Sequence, residues 1–160
     1  MNKNIITKEQ INSAQGLEKT HFLNANARRT NKSLGDMVGL SGFGFHIIEI
    51  QSGNDSTEFH KHYFEDECVY ILDGSADAFI GDEVCQVKAG DFLGYPAGGL
   101  AHSLTNSGDS VLRCIVVGER LNHDVADYPK LNKRIFRNRG LSWNLVDLDK
   151  IVQPDAGRKI

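Results

Sequence analysis

The sequence lacks the features by which several classes of protein are recognised. No stretch approaches the roughly 18 apolar residues that a membrane-spanning helix needs, and the first residues lack the apolar region of a secretory signal. Excess positive charge is missing too: the formal net charge is -3 and the pI is near 6.0. The overall charge therefore gives no electrostatic attraction to polyanions. We expect a cytoplasmic protein without a nucleic acid or membrane partner.

Paired cysteines are also missing. The chain has three cysteines, Cys68, Cys85 and Cys114, an odd number at wide spacing. This pattern fits neither a disulfide framework nor a CxxC zinc or redox site. Because each cysteine stands among apolar neighbours, the sequence predicts buried, reduced thiols.

Alternation of helix and strand patterns is absent as well, which argues against a parallel α/β fold. From Phe43 to Arg120 the chain instead consists of short apolar runs separated by Gly, Asn and Asp clusters, as in an all-β domain. The runs predict eight strands, the number in a jelly roll: residues 43–51, 58–63, 67–72, 75–80, 83–87, 92–95, 102–106 and 111–117.

At 160 residues the chain has the length of one domain. We expect a barrel over residues 38–120, flanked by an N-terminal arm at residues 1–37 and a C-terminal arm at residues 121–160. The N-terminal arm shows little periodicity, and Thr7 can cap only a short helix there. The arm is expected to pack on the barrel.

The predicted strand from Glu67 to Leu72 is apolar on both faces beyond its first residue. With a period of two, Val69 and Ile71 lie on the side of Glu67, whereas Tyr70 and Leu72 lie on the other side. Both faces of such a strand must be covered. The outer cover is either a terminal arm or a second subunit, and we expect a homodimer.

Candidate metal ligands lie on one of the predicted strands and at the starts of two others. His60 and His62 share one face of a strand, so both imidazoles can reach the same ion. Glu67 opens the next strand and His102 opens a later one. Imidazole and carboxylate together suit a divalent transition metal such as Fe, Mn, Ni or Zn rather than Ca or Mg. Taken alone, the HxH pair is equally consistent with two ordinary strand histidines.

Two longer motifs resemble those of the cupin superfamily. The first is Gly53-Asn-Asp-Ser-Thr-Glu-Phe-His60-Lys-His62-Tyr-Phe-Glu-Asp-Glu67-Cys-Val-Tyr-Ile-Leu-Asp-Gly74, and the second is Gly90-Asp-Phe-Leu-Gly-Tyr-Pro96-Ala-Gly98-Gly99-Leu-Ala-His102-Ser-Leu-Thr-Asn106. Each departs from the family pattern by one extra residue in a turn. The resemblance spans about half of the chain and implies a double-stranded β-helix barrel with one divalent metal ion on His60, His62, Glu67 and His102.

Other side chains near the motifs are further candidates for the site. Tyr63 and Tyr95 are candidate catalytic residues, since a phenol near a metal can act as a general base if its pKa is lowered; the alternative is a tyrosine packed in a sheet. Glu65 and Asp66 can replace Glu67 as a ligand or hydrogen-bond a ligating histidine. His46 on the preceding strand is either structural or a partner of the ligands.

Five basic residues fall within ten positions near the end of the chain: Lys130, Lys133, Arg134, Arg137 and Arg139. Such a run is either a solvated face or a binding site for a substrate phosphate or carboxylate at the barrel mouth.

The sequence leaves two functions open. One is a metal-dependent enzyme acting on a small polar or anionic metabolite by dioxygenase, isomerase or lyase chemistry. The other is a non-catalytic cupin that binds or senses a small ligand. The segment after Gly118 also resembles a bacterial group of small cupins, and the activity name given to some of them, sugar phosphate isomerase, rests on fold alone.

Overall fold

The computed structural model describes residues 2–154 and 157 and is almost entirely antiparallel β-sheet, as the sequence predicts. Residues 155, 156 and 158–160 of the predicted C-terminal arm lie outside the described residues. The strands are β1 (Leu17–His21), β2 (Asn24–Ser33), β3 (Phe43–Ile50), β4 (Lys61–His62), β5 (Glu67–Asp73), β6 (Ser75–Ile80), β7 (Glu83–Lys88), β8 (Phe92–Tyr95), β9 (His102–Thr105), β10 (Leu112–Glu119), β11 (His123–Tyr128), β12 (Lys133–Asn138) and β13 (Asn144–Asp147).

Helical structure is limited to short segments. These are α1 (Lys8–Ser13), α2 (Leu34–Met37) and the 3-10 turns Pro129–Leu131 and Leu148–Lys150. Thr7 caps α1 as expected, since its hydroxyl accepts from the Gln10 amide and the Gln10 side chain accepts from the Thr7 amide. No helix in the described part of the chain has the length and apolarity needed to cross a membrane.

The described strands form three sheets. The largest has the strand order β1-β2-β3-β10-β5-β8, a second has β13-β12-β11-β4 and a third has β7-β6-β9. Every pairing is antiparallel. This arrangement fits a jelly-roll barrel.

Alternation along the strands separates the core from the outer surface. In β5, Val69 and Ile71 are buried, whereas Tyr70 and Leu72 are exposed, as the period of two predicts. The buried side chains of the large sheet meet those of β6 and β9 in one apolar core: Ile48, Ile50, Val69, Ile71, Ala76, Ala78, Leu93, Tyr95, Leu104, Leu112 and Cys114. This packing fixes the faces from which the candidate ligands project.

The turn between β5 and β6 depends on Gly74. Its φ of 86° lies in the left-handed region, and a Cβ there would stand 3.1 Å from the Cα of Leu112. Only glycine therefore lets the two strands separate into different sheets at this point.

Five strands were not anticipated from the sequence. β1 and β2 lie within the predicted N-terminal arm, and β11, β12 and β13 lie within the predicted C-terminal arm. The expected strand at residues 58–63 shrinks to β4. The prediction of three buried thiols is also wrong: Cys114 is buried and Cys68 partly so, but Cys85 is exposed. It lies on β7, an edge strand whose side chains remain mostly in solvent.

Candidate metal centre

His60 and His62 stand side by side at β4. The His60 backbone pairs with His102 of β9, and His62 pairs with Ala126 of β11, so the segment joins two sheets. The two Nε2 atoms are 3.1 Å apart. Nitrogens bound to one ion at about 2.1 Å lie at most about 4.2 Å from each other, so this spacing fits two ligands of a single ion.

His102 completes the imidazole cluster. Its backbone exchanges two hydrogen bonds with His60, at 3.1 and 2.7 Å, and the two ring centroids are 4.7 Å apart. The ring stacks on Tyr95 at 3.6 Å between centroids. Its Nε2 atom is buried and has no hydrogen-bond partner. A buried lone pair without a partner is costly, which indicates a site that requires an additional group.

Glu67, at the start of β5, supplies a negative charge beside these rings. Its carboxylate oxygens lie 3.8 Å from His62 Nε2 and 3.9 Å from His102 Nε2. Burial acts to raise the pKa of Glu67, but the surrounding imidazoles, led by His102, lower it to about 2. The carboxylate is therefore ionised. Ligand atoms of His60, His62 and Glu67 all lie within 4.8 Å of one another, whereas His102, the fourth predicted ligand, falls outside this group.

The other ring nitrogen of each histidine shows where the protons are. His60 Nδ1 is 2.8 Å from the Glu58 carbonyl, His62 Nδ1 is 2.8 Å from Asp124 Oδ2 and His102 Nδ1 is 3.3 Å from the Leu100 carbonyl. Each acceptor favours the tautomer with the proton on Nδ1, in which the lone pair of the ring lies on Nε2. Burial lowers the pKa of His60 to about 3, so this ring is neutral. Converging lone pairs beside a carboxylate fit a bound cation.

Comparison with known proteins identifies the family. The model of the Cupin domain family matches residues 46–118. The solved structure of a candidate sugar phosphate isomerase from Acidithiobacillus ferrooxidans ATCC 23270 is 45% identical, covers 95% of this chain and 97% of its own, and superposes with a TM-score of 0.92. The chain belongs to the cupin family.

Two more distant structures share the fold of this cupin. A sugar phosphate isomerase of the cupin superfamily from Silicibacter pomeroyi DSS-3 is 24% identical over 88% of this chain and 91% of its own, with a TM-score of 0.77. A cupin 2 conserved barrel domain protein from Salinispora arenicola CNS-205 is 19% identical over 57% and 76%, with a TM-score of 0.50. No curated protein matches the chain.

A buried carboxylate network holds His62 in place. Asp124 of β11 is fully buried and accepts from His62 Nδ1, from the Phe64 amide at 3.2 Å and from Arg137 Nη2 at 2.6 Å. Burial acts to raise the pKa of Asp124, but these donors hold it well below its usual range. Arg137 also pairs with Glu65. Ligand atoms of His62, Glu65 and Asp124 also lie within 4.8 Å of one another, but Arg137 already neutralises both of these carboxylates.

The carboxylates of Glu65 and Asp66 accept hydrogen bonds from groups other than the candidate ligand histidines. Glu65 is bound to Arg137 and accepts from the Leu121 amide at 2.9 Å. Asp66 accepts from the Ala97 amide at 2.7 Å. Of the three successive acidic residues, Glu67 is the one grouped with His60 and His62.

The two tyrosines singled out in the sequence lie in different surroundings. Tyr63 donates to Asp127 at 2.8 Å and accepts from Arg134 at 3.0 Å. Tyr95 packs its ring against His102, and burial raises the pKa of its phenol. The lowered pKa that a general base requires is thus not found at Tyr95. Neither tyrosine lines the cavity that contains the candidate ligands.

That cavity has a volume of about 350 Å³ and is lined by His60, His62 and Glu67 on one side. His46 also lines it and is held by the Asn31 amide at 3.2 Å. Apolar walls come from Ile48, Val69, Leu104 and Val116, and cations come from Lys19, Arg29, Arg120 and Arg137. Such a mixture of apolar walls and a few polar groups is typical of small-ligand sites.

The basic run at residues 130–139 contributes one residue, Arg137, to this cavity. Most members of the run have partners: Lys133 pairs with Asp147, Arg134 with Asp127, and Arg137 with Glu65 and Asp124. Lys130 lies over the rings of Phe59 and Phe79.

Sequence reasoning missed three residues of the cavity and its support, namely Arg29, Asp124 and Tyr128. All three come from the arms, in which no strands were predicted. Tyr128 lines the cavity with its ring 6.2 Å from that of His60, and burial raises its pKa to about 12. Residues 124–128 are all buried, so no alternation along this strand marked them in advance.

Proposed function

We propose that this cupin is a metal-dependent enzyme that acts on a small anionic metabolite, with isomerisation of a sugar phosphate as the first reaction to test. The observation that carries the proposal is the grouping of His60, His62 and the ionised Glu67 on the wall of a cavity, with the partnerless Nε2 of His102 3.9 Å from the Glu67 carboxylate. The 45% identical structure named as a candidate sugar phosphate isomerase supports the choice of reaction.

His60, His62, Glu67 and His102 would hold one divalent transition metal ion, drawn from Fe, Mn, Ni and Zn. Bound there, the ion supplies Lewis acidity and open positions for substrate oxygen atoms. Asp124 fixes the orientation of His62 through the 2.8 Å hydrogen bond.

Tyr128 and His21 hold protons beside the ligands. His21 Nδ1 accepts from the Leu23 amide at 3.2 Å, so its proton is on Nε2, which lies 3.5 Å from the Tyr128 hydroxyl. With its pKa raised to about 12, Tyr128 keeps its proton at neutral pH. It can therefore donate a hydrogen bond to a substrate oxygen, which differs from the general-base role expected from the sequence for Tyr63 and Tyr95.

The proposal is tested by following hydrogen exchange in D2O. We expect the metal-loaded protein to exchange a carbon-bound hydrogen of at least one aldose or ketose phosphate, observed by proton NMR. We expect His102→Ala to lose this activity by more than about 100-fold, because loss of a ligand should exceed the 10- to 100-fold effect of losing a ligand's hydrogen-bond partner.

His123→Ala is the matched control for that test. His123 is exposed on β11, bonded to Asn138 at 2.6 Å and absent from the cavity wall, so its loss should leave exchange unchanged. If sugar phosphates bind to the metal-loaded protein without exchange or turnover, the non-catalytic binding function is favoured instead.

We propose that a second copy of the chain covers the outer face of the large sheet. Strand pairing places Ile47, Ile115, Tyr70 and Phe92 in one row across four strands, and Tyr70 and Phe92 are 42% and 66% exposed. We expect light scattering to give twice the chain mass of 17.7 kDa, and Phe92→Glu to give the single mass. Val84→Glu, on an exposed strand of another sheet, is the control; a monomeric wild type would contradict the proposal.

A further inference from the structure

Two positive charges face each other on the wall of the cavity. Lys19 of β1 is directly opposite Arg29 of β2 in the antiparallel register, and both line the cavity. Like charges at directly opposed positions destabilise a sheet. The folded chain therefore tolerates an unfavourable pair at this place.

Arg29 is partly buried, and one of its buried nitrogen atoms lacks a partner. Its Nη1 donates to the Ser56 carbonyl, but its Nε is buried and has no hydrogen-bond partner. Across the residues that the structure describes, neither Arg29 nor Lys19 forms an ion pair with a carboxylate. A buried donor of this kind, left unsatisfied, costs free energy.

The other two cations of the cavity are already neutralised. Arg120 pairs with Asp36, and Arg137 pairs with Glu65 and Asp124. Four carboxylates also line the cavity, those of Glu65, Asp66, Glu67 and Glu119, so its charges balance overall. Lys19 and Arg29 are the lining cations without a direct ion pair among the described residues, and Glu67 acts on Arg29 only through space.

We propose that Arg29, assisted by Lys19, binds an oxyanion group of the substrate, a phosphate or a carboxylate, while the candidate ligands hold the reacting end. The planar guanidinium presents parallel N–H donors that match either group. The bound anion would satisfy the orphaned Nε and separate the two opposed charges. That the bound anion is part of a substrate rests on the proposed function. The anion site itself can be measured without turnover.

Isothermal titration of the full-length protein tests the site, with inorganic phosphate as one probe and acetate as the other. We expect saturable binding of at least one of them, weakened by about 10- to 100-fold in Arg29→Gln, the loss expected for a charged hydrogen bond. Arg29→Lys, which keeps the charge without the planar donors, should fall between. The probe whose affinity depends on Arg29 identifies the anionic group.

Arg28→Gln is the matched control. Arg28 immediately precedes Arg29 on the same strand, is exposed and does not line the cavity. It should bind either probe as the wild type does. The metal content of every variant is also measured, which separates loss of anion binding from loss of the metal ion. A bound anion also raises the melting temperature by mass action, and this rise should be absent in Arg29→Gln even though the variant folds.

The inference is overturned if neither probe binds saturably, or if Arg29→Gln and Arg28→Gln bind with equal affinity. If anion binding depends on Arg29 but the protein turns over no sugar phosphate, the anion site is supported and the proposed enzymatic function is contradicted. The two failures are thus distinguishable.

Discussion

Asp124→Asn should weaken metal binding by about 10- to 100-fold, the effect typical of losing the carboxylate that orients a ligating histidine. The substitution keeps the shape of a fully buried side chain but removes the negative charge that faces His62 Nδ1 and Arg137. Without that charge, the His62 ring becomes less basic. Its proton is also held less strongly on Nδ1, the position that leaves the Nε2 lone pair free. A competition titration against a chromophoric chelator measures the change.

Asp127→Asn is the control for this prediction. Asp127 lies three residues further along β11, is also buried and pairs with Arg134 and Tyr63 rather than with a histidine. We expect it to lose stability without losing metal affinity. Equal metal affinities of Asp124→Asn and Asp127→Asn would show that the Asp124 contact does not support the site.

Asn106→Ala should lower the free energy of unfolding by about 1–3 kcal/mol, since the carbonyl of the buried Ile50 loses its side-chain donor and an unsatisfied buried polar group costs about that much. Asn106 is fully buried; its Nδ2 donates to the carbonyls of Ile50 and Ser110, each at 2.8 Å, and its Oδ1 accepts from the Gly108 amide at 3.0 Å. Urea denaturation measures the loss.

Ser107→Ala provides the comparison, because the adjacent Ser107 is exposed and its hydroxyl bonds only Asp77, at 3.1 Å. We expect its effect to stay within about 0.5 kcal/mol. If Asn106→Ala costs no more than Ser107→Ala, the last residue of the second motif does not hold the β3 end and the turn after β9 together. The motif asparagine is thus assigned a structural role rather than a role at the metal.

The barrel could be predicted because its strands carry their own signal. β5 is a short apolar run from Val69 to Leu72 that ends at the turn residues Asp73 and Gly74, and such a run bounded by turn residues is a local property of the chain. The candidate ligands were found for a similar reason, since HxH places two imidazoles on one face whatever the strand pairs with. Local spacing was sufficient for both.

The strands of the arms could not be predicted in this way. β2, with the sequence NANARRTNKS, has no apolar alternation, and it forms because the edge of β3 offers unpaired backbone groups. Only through such pairings does Arg29 reach the cavity and Asp124 reach His62, which lies 62 residues away from it in sequence. Their roles depend on contacts that no local pattern records.

The central claim is that His60, His62, Glu67 and His102 hold one divalent transition metal ion. Inductively coupled plasma mass spectrometry of the purified protein tests it most directly, with the His60→Ala/His62→Ala double variant prepared in parallel. We predict about one ion of Fe, Mn, Ni or Zn per chain in the wild type and none in the variant. A wild-type protein that binds no metal after reconstitution, or a double variant that keeps the ion, would contradict the account.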